Sequence, residues 1–368
     1  MIQQQPAAIT SDVKLAGITS QEVSSLVTVD PMNRVNDLFA EWDTMDTVNA
    51  VRVALEERFE VTMIEADDAA FEKFRSIRPF FAFNIAEGLR GPSREAQIPA
   101  MLEMLGIPYL GSDPLTLGIC LDKSRAKEIL AYHGIPTPAF AVVGSFAELQ
   151  RVPFDLPAIV KPLHEGSSKG IYNSSVVRTA ADLEREVHTV LTVYREPALL
   201  EEFLDGREFT AAILGNGDRA RVLPIVEIKF DALPAGANPI YSYEAKWLWD
   251  TVENPLEIYE CPARLTQELT RSIEKMCRDA YQVLRCRDWT RIDVRLDRRG
   301  NPHILEINPL PGILPRPEDN SCFPKAARTA GMTYSQLINS VLDIAMERCG
   351  IAVAGRYGSS PQAGPASL

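Results

Sequence analysis

Apolar and polar residues follow two alternating patterns along the first third of the chain, one typical of strands and one typical of helices. The predicted strands are residues 24–29, 60–66 and 79–85, and the predicted helices are residues 43–59, 68–77 and 96–104. Strands that alternate with helices in this way are typical of a parallel sheet with helical crossovers.

Further along the chain, strand patterns come closer together and a glycine-rich turn separates two of them. In the middle third, helices are predicted at residues 122–134 and 179–191, and strands at 139–143, 158–162, 172–177 and 198–203. In the last third, strands are predicted at residues 207–214, 221–228, 289–297 and 303–308, helices at 262–284 and 334–348, and a loop at 231–247. This order predicts two mixed α+β units after the first α/β unit.

The two ends of the chain lack this patterning, because they are rich in Gln, Ser, Ala, Gly and Pro without apolar periodicity. We therefore predict five segments: a flexible N-terminal extension (1–22), an N-terminal α/β domain (23–113), a central lobe (114–204), a C-terminal lobe (205–350) and a disordered tail (351–368).

Composition mainly excludes classes of protein. Of 368 residues, 46% are hydrophobic and 24% are charged, which is ordinary for a globular chain. The net charge of -12 has the wrong sign for neutralising nucleic-acid phosphates. No signal peptide or long apolar span is apparent, and the six cysteines form no CxxC pair. We expect a soluble cytoplasmic protein with no nucleic-acid or membrane partner and no zinc site.

One predicted β-hairpin carries the first candidate chemistry. Side chains alternate between faces, so Asp293 shares a face with Arg291 and, on the second strand, Glu306 shares one with Asn308. If residues 298–301 form the turn without a bulge, Asp293 faces Glu306 and Arg291 faces Asn308. Two opposed carboxylates repel, and a cation between them relieves the repulsion. Asp, Glu and Asn oxygens favour magnesium combined with substrate phosphates.

A simpler interpretation of the same strand stays open. Arg295 shares the face of Arg291, so the two arginines would neutralise the acids of an ordinary ion-paired strand.

A second candidate is a loop that follows a short apolar strand ending near Lys161. Gly166, Ser167, Ser168 and Gly170 can turn backbone N–H groups and hydroxyls toward an anion, which is how phosphate groups are held. The loop lacks the GxxxxGK[ST] pattern of a P-loop, and an exposed hairpin is the alternative.

The third candidate is the segment ALLEEFLDGREF. The backbone of Phe203 and Leu204 can form an edge that reads adenine, Glu201 can accept from the exocyclic amine, and Glu208 can bind ribose hydroxyls. Acidic residues around a turn are also typical of a solvated surface.

In this order, the segments resemble an ATP-grasp carboxylate–amine ligase of the D-alanine–D-alanine ligase family. The resemblance runs from about Glu41 to Arg348 and rests on EMLGIPYLGSDPLTLGICLDKSRAKEIL, GIPTPAF, IVKPLHEGSSKGI, LLEEFLDGREFTAAIL, YEAKW, RIDVRLD, LEINPLPG and KAARTAGMTYSQL. It implies a three-domain ATP-grasp fold, an N-terminal parallel α/β domain followed by two α+β lobes that clamp ATP. The implied activity joins two small amino acids through an acyl phosphate.

The resemblance also implies a role for individual residues. ATP would be held by Lys123, Lys161, Ser168, Glu201, Phe203, Leu204, Glu208 and Lys246. Asp293, Glu306 and Asn308 would bind two Mg²⁺ ions, with Mn²⁺ as an alternative. Arg291 and the backbone N–H of Gly312 would stabilise the oxyanion. Glu41 would hold the amino group of the first substrate, and Ser167 lies on the loop that connects to it.

Departures from the family pattern concern the amino-acid substrates. Trp247 stands where ligases that make D-alanyl-D-alanine usually carry tyrosine, and residues 83–97 replace the usual first-domain motifs. The stretch 308–327 is longer than usual, with Ser321 as the expected carboxylate-binding residue and Arg316 as a new candidate.

The resemblance favours a D-alanine–D-alanine ligase-like activity, and two alternatives to it stay open. The first is a related ligase that makes another dipeptide, a depsipeptide or a specialised metabolite, and the second is a nucleotide-binding relative without turnover. The family also implies a homodimer, amino-acid substrates and a role in peptidoglycan biosynthesis.

Overall fold

The computed structural model describes residue 37 and residues 41–151, 155–250 and 256–352. The predicted N-terminal extension, the strand predicted at 24–29 and residues 353–368 of the predicted tail lie outside the described residues. Helices α1 to α9 are Met45–Glu56, Ala70–Ile77, Gln97–Leu105, Pro114–Leu121, Lys123–Tyr132, Ala180–Thr189, Gln267–Val283, Cys322–Thr329 and Tyr334–Arg348. Strands β1 to β10 are Phe140–Val143, Ala158–Pro162, Val176–Val177, Ala198–Glu202, Glu208–Leu214, Arg221–Val222, Val226–Ile228, Tyr259–Glu260, Trp289–Leu296 and Pro302–Asn308.

Side-chain caps fix where several helices begin. The Asp122 carboxylate accepts from the backbone N–H groups of Ser124 and Arg125, so α5 begins at Lys123. Thr333 and Gln336 form a reciprocal capping box at the start of α9. Thr266 caps α7, which therefore begins at Gln267 and not at Pro262 as predicted. These short polar side chains satisfy N–H groups that the first turn leaves without partners.

The N-terminal unit packs its helices around apolar segments. The segments predicted as strands at 60–66 and 79–85 run mostly without ladder hydrogen bonds, which corrects the prediction. Among the described residues, Ala82 and Tyr109 form an isolated parallel β-bridge. A strand needs a hydrogen-bonded neighbour along its length, and the described residues supply that neighbour only at Ala82.

The central sheet has the antiparallel order β1-β4-β2-β3. All five residues of β2 are buried, with Ala158 and Val160 in the core that α6 covers and Ile159 in a second cluster with Phe203 and Ile240. The end of this strand carries Lys161 to the glycine- and serine-rich loop.

The C-terminal sheet has the order β10-β9-β5-β7-β8, with β6 paired to β5. The strand predicted at 221–228 is broken into β6 and β7 around Pro224, whose missing N–H cannot join a ladder. Helix α7 packs Ile273, Cys277 and Ala280 against the apolar face of β9 and β10. The opposite face of this hairpin carries the polar residues of the candidate site. Three helical segments, α4, α8 and a π-helical turn at Glu244–Trp249, were absent from the prediction.

Candidate functional site

A cavity of 210 Å³ is lined by residues of the N-terminal unit, of the loop after β2 and of the C-terminal sheet. Most of the site residues predicted from the sequence line it: Glu41, Lys161, Ser167, Ser168, Glu208, Lys246, Trp247, Arg291, Asp293, Glu306, Asn308, Gly312 and Ser321. Lys123, Glu201, Phe203 and Leu204 do not line this cavity. The fold therefore brings together residues that are more than 250 positions apart in the sequence.

The hairpin pairs Asp293 with Glu306 and Arg291 with Asn308, as the sequence predicts. The assumption of a bulge-free register is wrong, however. Near the turn Pro302 pairs with Leu296, and a bulge at Leu305 restores the predicted pairs further along. The two acids consequently face the cavity from adjacent strands.

Cations already flank both acids. Arg291 donates to the two oxygens of Asp293 from Nε at 3.1 Å and Nη2 at 3.0 Å. Thr210 Oγ1 also donates to Asp293, at 2.7 Å. Lys123 Nζ lies 3.0 Å from Glu306 Oε1. Burial raises the pKa of Glu306, but Lys123, Arg291 and Lys161 together outweigh it and lower the pKa overall. The ion-pair interpretation of this strand holds for Arg291, which pairs with Asp293, but not for Arg295, which pairs with Glu208 on β5.

The donor chemistry of Asp293, Glu306 and Asn308 fits Mg²⁺, because two carboxylates and one amide supply hard oxygen atoms on adjacent strands. Asn308 Nδ2 lies 3.3 Å from Asp293 Oδ2, so its amide is close to the carboxylate. Within the described residues, no group of three or more His, Cys, Asp and Glu side chains is placed to hold a metal ion. Magnesium held at this hairpin would therefore need the Asn308 amide and groups of a substrate as further ligands.

Lys161 projects from the end of β2 and forms an ion pair with Glu201. Lys127 Nζ contacts the other oxygen of Glu201 at 2.6 Å, and Glu201 is 1% exposed. Burial raises the pKa of Glu201, but the two lysines outweigh it and lower the pKa to about 2. The Glu201 carboxylate is thus engaged by lysines in this structure, and it orients Lys161 at the cavity wall.

The glycine- and serine-rich loop turns sharply after Gly166, with positive φ at Ser167, Ser168 and Gly170. Ser168 Oγ donates to the Tyr241 carbonyl at 2.7 Å. Trp247 Nε1 donates to the Ser167 carbonyl at 3.3 Å. These contacts tie the loop to the segment that carries Lys246 and Trp247.

Comparison with known proteins identifies the family. The family described as "D-ala D-ala ligase C-terminus" matches residues 129–343, which is more than half of the chain. The chain belongs to the D-alanine–D-alanine ligase family.

Relatives support this assignment over most of the sequence. The uncharacterized protein y4sG of Sinorhizobium fredii NGR234 is 37% identical over 316 residues, which cover 83% of this chain and 89% of the relative. The D-alanine–D-alanine ligase of Bordetella avium 197N is 39% identical over 250 residues, which cover 67% of this chain and 73% of the relative. A crystal structure of D-alanine–D-alanine ligase from Bacillus anthracis is 26% identical, with a TM-score of 0.65, covering 87% of this chain and 95% of that one.

The predicted ATP-grasp fold and the prediction that the chain is a ligase are therefore confirmed. Within the described residues, no helix combines the length and apolar character that crossing a membrane requires.

Arg94 contacts two acids of the cavity wall, Glu41 and Glu165, and the sequence analysis did not predict this contact. Arg94 Nη2 lies 2.7 Å from both oxygens of Glu41 and 2.9 Å from Glu165 Oε2. Gly166 N–H also donates to Glu41. Arg94 is 7% exposed and belongs to the stretch 83–97 that departs from the family pattern. The departure of this stretch from the family pattern was a signal in the sequence. It did not indicate that Arg94 contacts Glu41, which lies 53 residues away.

Lys246 and Ser321 line the same cavity. Burial, together with the charge of Arg291, lowers the pKa of Lys246 to about 8. The Lys246 ammonium lies 4.9 Å from the centre of the Trp247 ring. Ser321 Oγ donates to the Gly312 carbonyl at 3.2 Å, which links the predicted carboxylate-binding residue to the residue predicted to stabilise the oxyanion.

Proposed function

We propose that the chain is an ATP-dependent ligase that joins two D-alanine molecules through an acyl-phosphate intermediate. One observation carries the proposal: the same cavity is lined by Lys161, the glycine- and serine-rich loop, Arg291 and the Asp293–Glu306 pair. The D-alanine–D-alanine ligases of Bordetella, at 36–39% identity, support this choice of substrate.

The chemistry explains why cations surround the cavity. A carboxylate resists attack by an amine because its oxygen is a poor leaving group. Transfer of the γ-phosphoryl group of ATP to that oxygen gives an acyl phosphate, and a second amine then displaces phosphate to form the amide. Both steps develop negative charge on oxygen, so positioned cations and excluded water lower the barriers.

Each predicted residue has a role in this proposal. Lys123, Lys161, Ser168 and Lys246 bind the phosphates, while Glu201, Phe203, Leu204 and Glu208 bind the nucleoside. Arg291 and the N–H of Gly312 stabilise the oxyanion, Ser321 and Trp247 bind the second substrate, and Glu41 with Ser167 shapes the first-substrate site.

Magnesium, with manganese as the alternative, would be held by Asp293, Glu306 and Asn308. When bound, it would neutralise phosphate charge during transfer. Without it, Arg291 and Lys123 keep both acids paired, so the site stays organised before ATP binds.

The direct test incubates the purified chain with ATP, Mg²⁺ and D-alanine and measures phosphate by a colorimetric assay and the dipeptide by mass spectrometry. We expect equimolar phosphate and D-alanyl-D-alanine. Phosphate release only with other amino acids would reject D-alanine, and ATP binding without turnover with any amino acid would favour the nucleotide-binding alternative.

We further propose a cytoplasmic homodimer that supplies peptidoglycan precursors. Light scattering of the purified chain tests the dimer, and complementation of a strain deficient in D-alanine–D-alanine ligase tests the role.

A further inference from the structure

Arg295 of β9 is a buried cation of the cavity that none of the roles proposed above uses. It lines the cavity and is 3% exposed. Arg291, Asp293 and Arg295 occupy every second position of β9, so their side chains share the face of the strand that borders the cavity. Positions two apart on a strand are separated by about 7 Å. The order along β9 is therefore the residue proposed for the oxyanion, the residue proposed for magnesium, and then Arg295, at the end where the nucleoside of a nucleotide bound through its phosphates would lie.

Three acceptors hold the guanidinium of Arg295 in one orientation. Nη1 donates to Glu208 Oε2 at 2.9 Å, Nη2 donates to the Pro239 carbonyl at 2.7 Å, and Nε donates to the Gly206 carbonyl at 3.2 Å. Gly206 lies in the turn before β5, and Pro239 lies in the segment that leads to Lys246. A planar guanidinium whose donors are engaged on three segments cannot rotate without breaking contacts. Arg295 thus fixes where the Glu208 carboxylate lies.

Two aromatic rings enclose the same guanidinium. Its Cζ atom lies 5.0 Å from the ring centre of Phe203 and 5.4 Å from that of Phe230. Phe203 also packs in an apolar cluster with Ile159 and Ile240, and both isoleucines line the cavity. This end of the cavity therefore combines an apolar surface, of the kind against which a base packs, with the polar pair of Arg295 and Glu208.

The ion pair with Arg295 uses only one carboxylate oxygen of Glu208. Glu208 is 8% exposed, lines the cavity and lies directly opposite Arg295 in the pairing of β5 with β9. Arg295 donates to Oε2, and within the described residues the other oxygen, Oε1, accepts no hydrogen bond. A buried carboxylate whose charge is balanced and whose second oxygen lacks a donor is suited to accept hydrogen bonds from neutral hydroxyl groups.

We propose that Arg295 is a positioning residue for the nucleotide: it holds Glu208 against the ribose hydroxyls and so makes the enzyme select a ribonucleotide. Arg295 acts through Glu208 and does not itself need to contact the sugar. This inference rests on the proposed ATP-dependent ligase function and on the role of Glu208 in it, and it adds the residue that determines how strictly the sugar is recognised.

The experiment compares ATP with 2′,3′-dideoxy-ATP, which lacks both ribose hydroxyls, at pH 7 with Mg²⁺ and saturating D-alanine, or with the amino acid that supports phosphate release if D-alanine does not. Phosphate release gives kcat and KM for each nucleotide. We expect wild type to prefer ATP by roughly 10–100-fold in kcat/KM, because without the hydroxyls Oε1 of Glu208 is left buried with no donor.

The variant R295M should reduce this preference by roughly fivefold or more, mainly by raising KM for ATP, while kcat changes by less than about threefold. R207M is a matched control. Arg207 also pairs with a glutamate, Glu227, at 2.7 Å and lies 5.0 Å from the ring centre of Phe209, but it does not line the cavity. R207M should keep the wild-type preference for ATP.

A double variant separates positioning from a merely structural role. If Arg295 acts through Glu208, the losses do not add, and R295M/E208Q should show the same nucleotide preference as E208Q. Removing both charges leaves no unpaired ion in the interior, so the double variant should fold. A further loss of preference in R295M/E208Q relative to E208Q would overturn the proposal.

Equal use of both nucleotides by wild type would also overturn the proposal, as would an R295M variant that keeps the wild-type preference. If R295M does not fold, R295K decides: lysine keeps the charge but lacks the planar fork, and an unchanged preference in R295K would contradict positioning by the guanidinium. Absence of phosphate release with every amino acid would instead reject the ligase function. Calorimetric titration of ATP and 2′,3′-dideoxy-ATP into wild type and R295M would then test Arg295 alone, and equal binding of the two nucleotides by wild type would overturn its role.

Discussion

The ammonium of Lys123, at the first position of α5, lies 3.0 Å from Oε1 of Glu306 on β10. This contact joins α5 to the hairpin of β9 and β10. Burial lowers the pKa of Lys123, but Glu306 together with Glu196 and Glu41 outweighs it and raises the pKa overall, so the ion pair is kept at neutral pH. Glu306 therefore has a partner that holds it in position before any nucleotide binds.

The variant E306Q should keep the fold and lose most activity. The amide retains the shape but removes one charge that faces Lys123 and the proposed magnesium site. We expect phosphate release to fall by roughly 10²–10³-fold. Phosphate release and thermal unfolding are measured beside the exposed control E128Q. Full turnover in E306Q would show that the metal site lies elsewhere.

Lys246 should limit activity at alkaline pH. Its pKa is lowered to about 8 by burial and by Arg291, so the ammonium loses its proton above that pH. We expect kcat/KM for ATP to fall by about tenfold for each pH unit above 8. K246R, which stays charged, should show no such fall up to pH 9.5. An unchanged profile in K246R would assign the titration to another group.

His164 should stabilise the fold in its charged form. Burial lowers its pKa, but hydrogen bonds with Asp122 and Glu196 outweigh this and raise the pKa to about 9 from the ordinary 6.5. The stabilisation is complete below pH 6.5 and is lost as pH rises through 9. The free energy of unfolding of H164N should be lower than that of wild type by at most about 3 kcal/mol at pH 6. Denaturant curves should converge by pH 10; a constant difference would contradict the ion-pair origin.

Gly170 should resist substitution more than another glycine of similar φ. Its φ is 73°, and an added Cβ would lie 2.3 Å from Pro162 Cγ. Gly134 has φ of 68° with open space around it. G134A should cost about 1 kcal/mol of unfolding free energy, and G170A at least about 2 kcal/mol more. Urea denaturation measures both, and equal losses would show that the loop adapts freely.

The sequence was sufficient to predict the residues that define the family. Strand alternation placed Asp293 opposite Glu306, because their pairing depends on local periodicity and a short connection. Helix α9 begins and ends where its pattern predicts, since Thr333 and Gln336 provide a local capping signal. The bulge at Leu305 was missed because it follows from how the two strands twist and pack, which the pattern of residue types does not encode.

Contacts between distant segments could not be predicted in the same way. Arg94 is 53 residues from Glu41 and 71 from Glu165, and the pairing depends on how the N-terminal unit packs on the loop. The break between β6 and β7 does have a local cause in the sequence, Pro224. It was missed because the residues on both sides of Pro224 favour a strand. The predicted domain boundaries and the roles of individual residues stay predictions.

The most direct test of the central claim follows an oxygen atom. D-alanine labelled with ¹⁸O in its carboxylate is incubated with ATP, Mg²⁺ and the purified chain, and the released phosphate is analysed by mass spectrometry. An acyl-phosphate ligase transfers one labelled oxygen to each phosphate, in step with dipeptide formation. Phosphate that carries no label would contradict activation of the substrate carboxylate in this cavity.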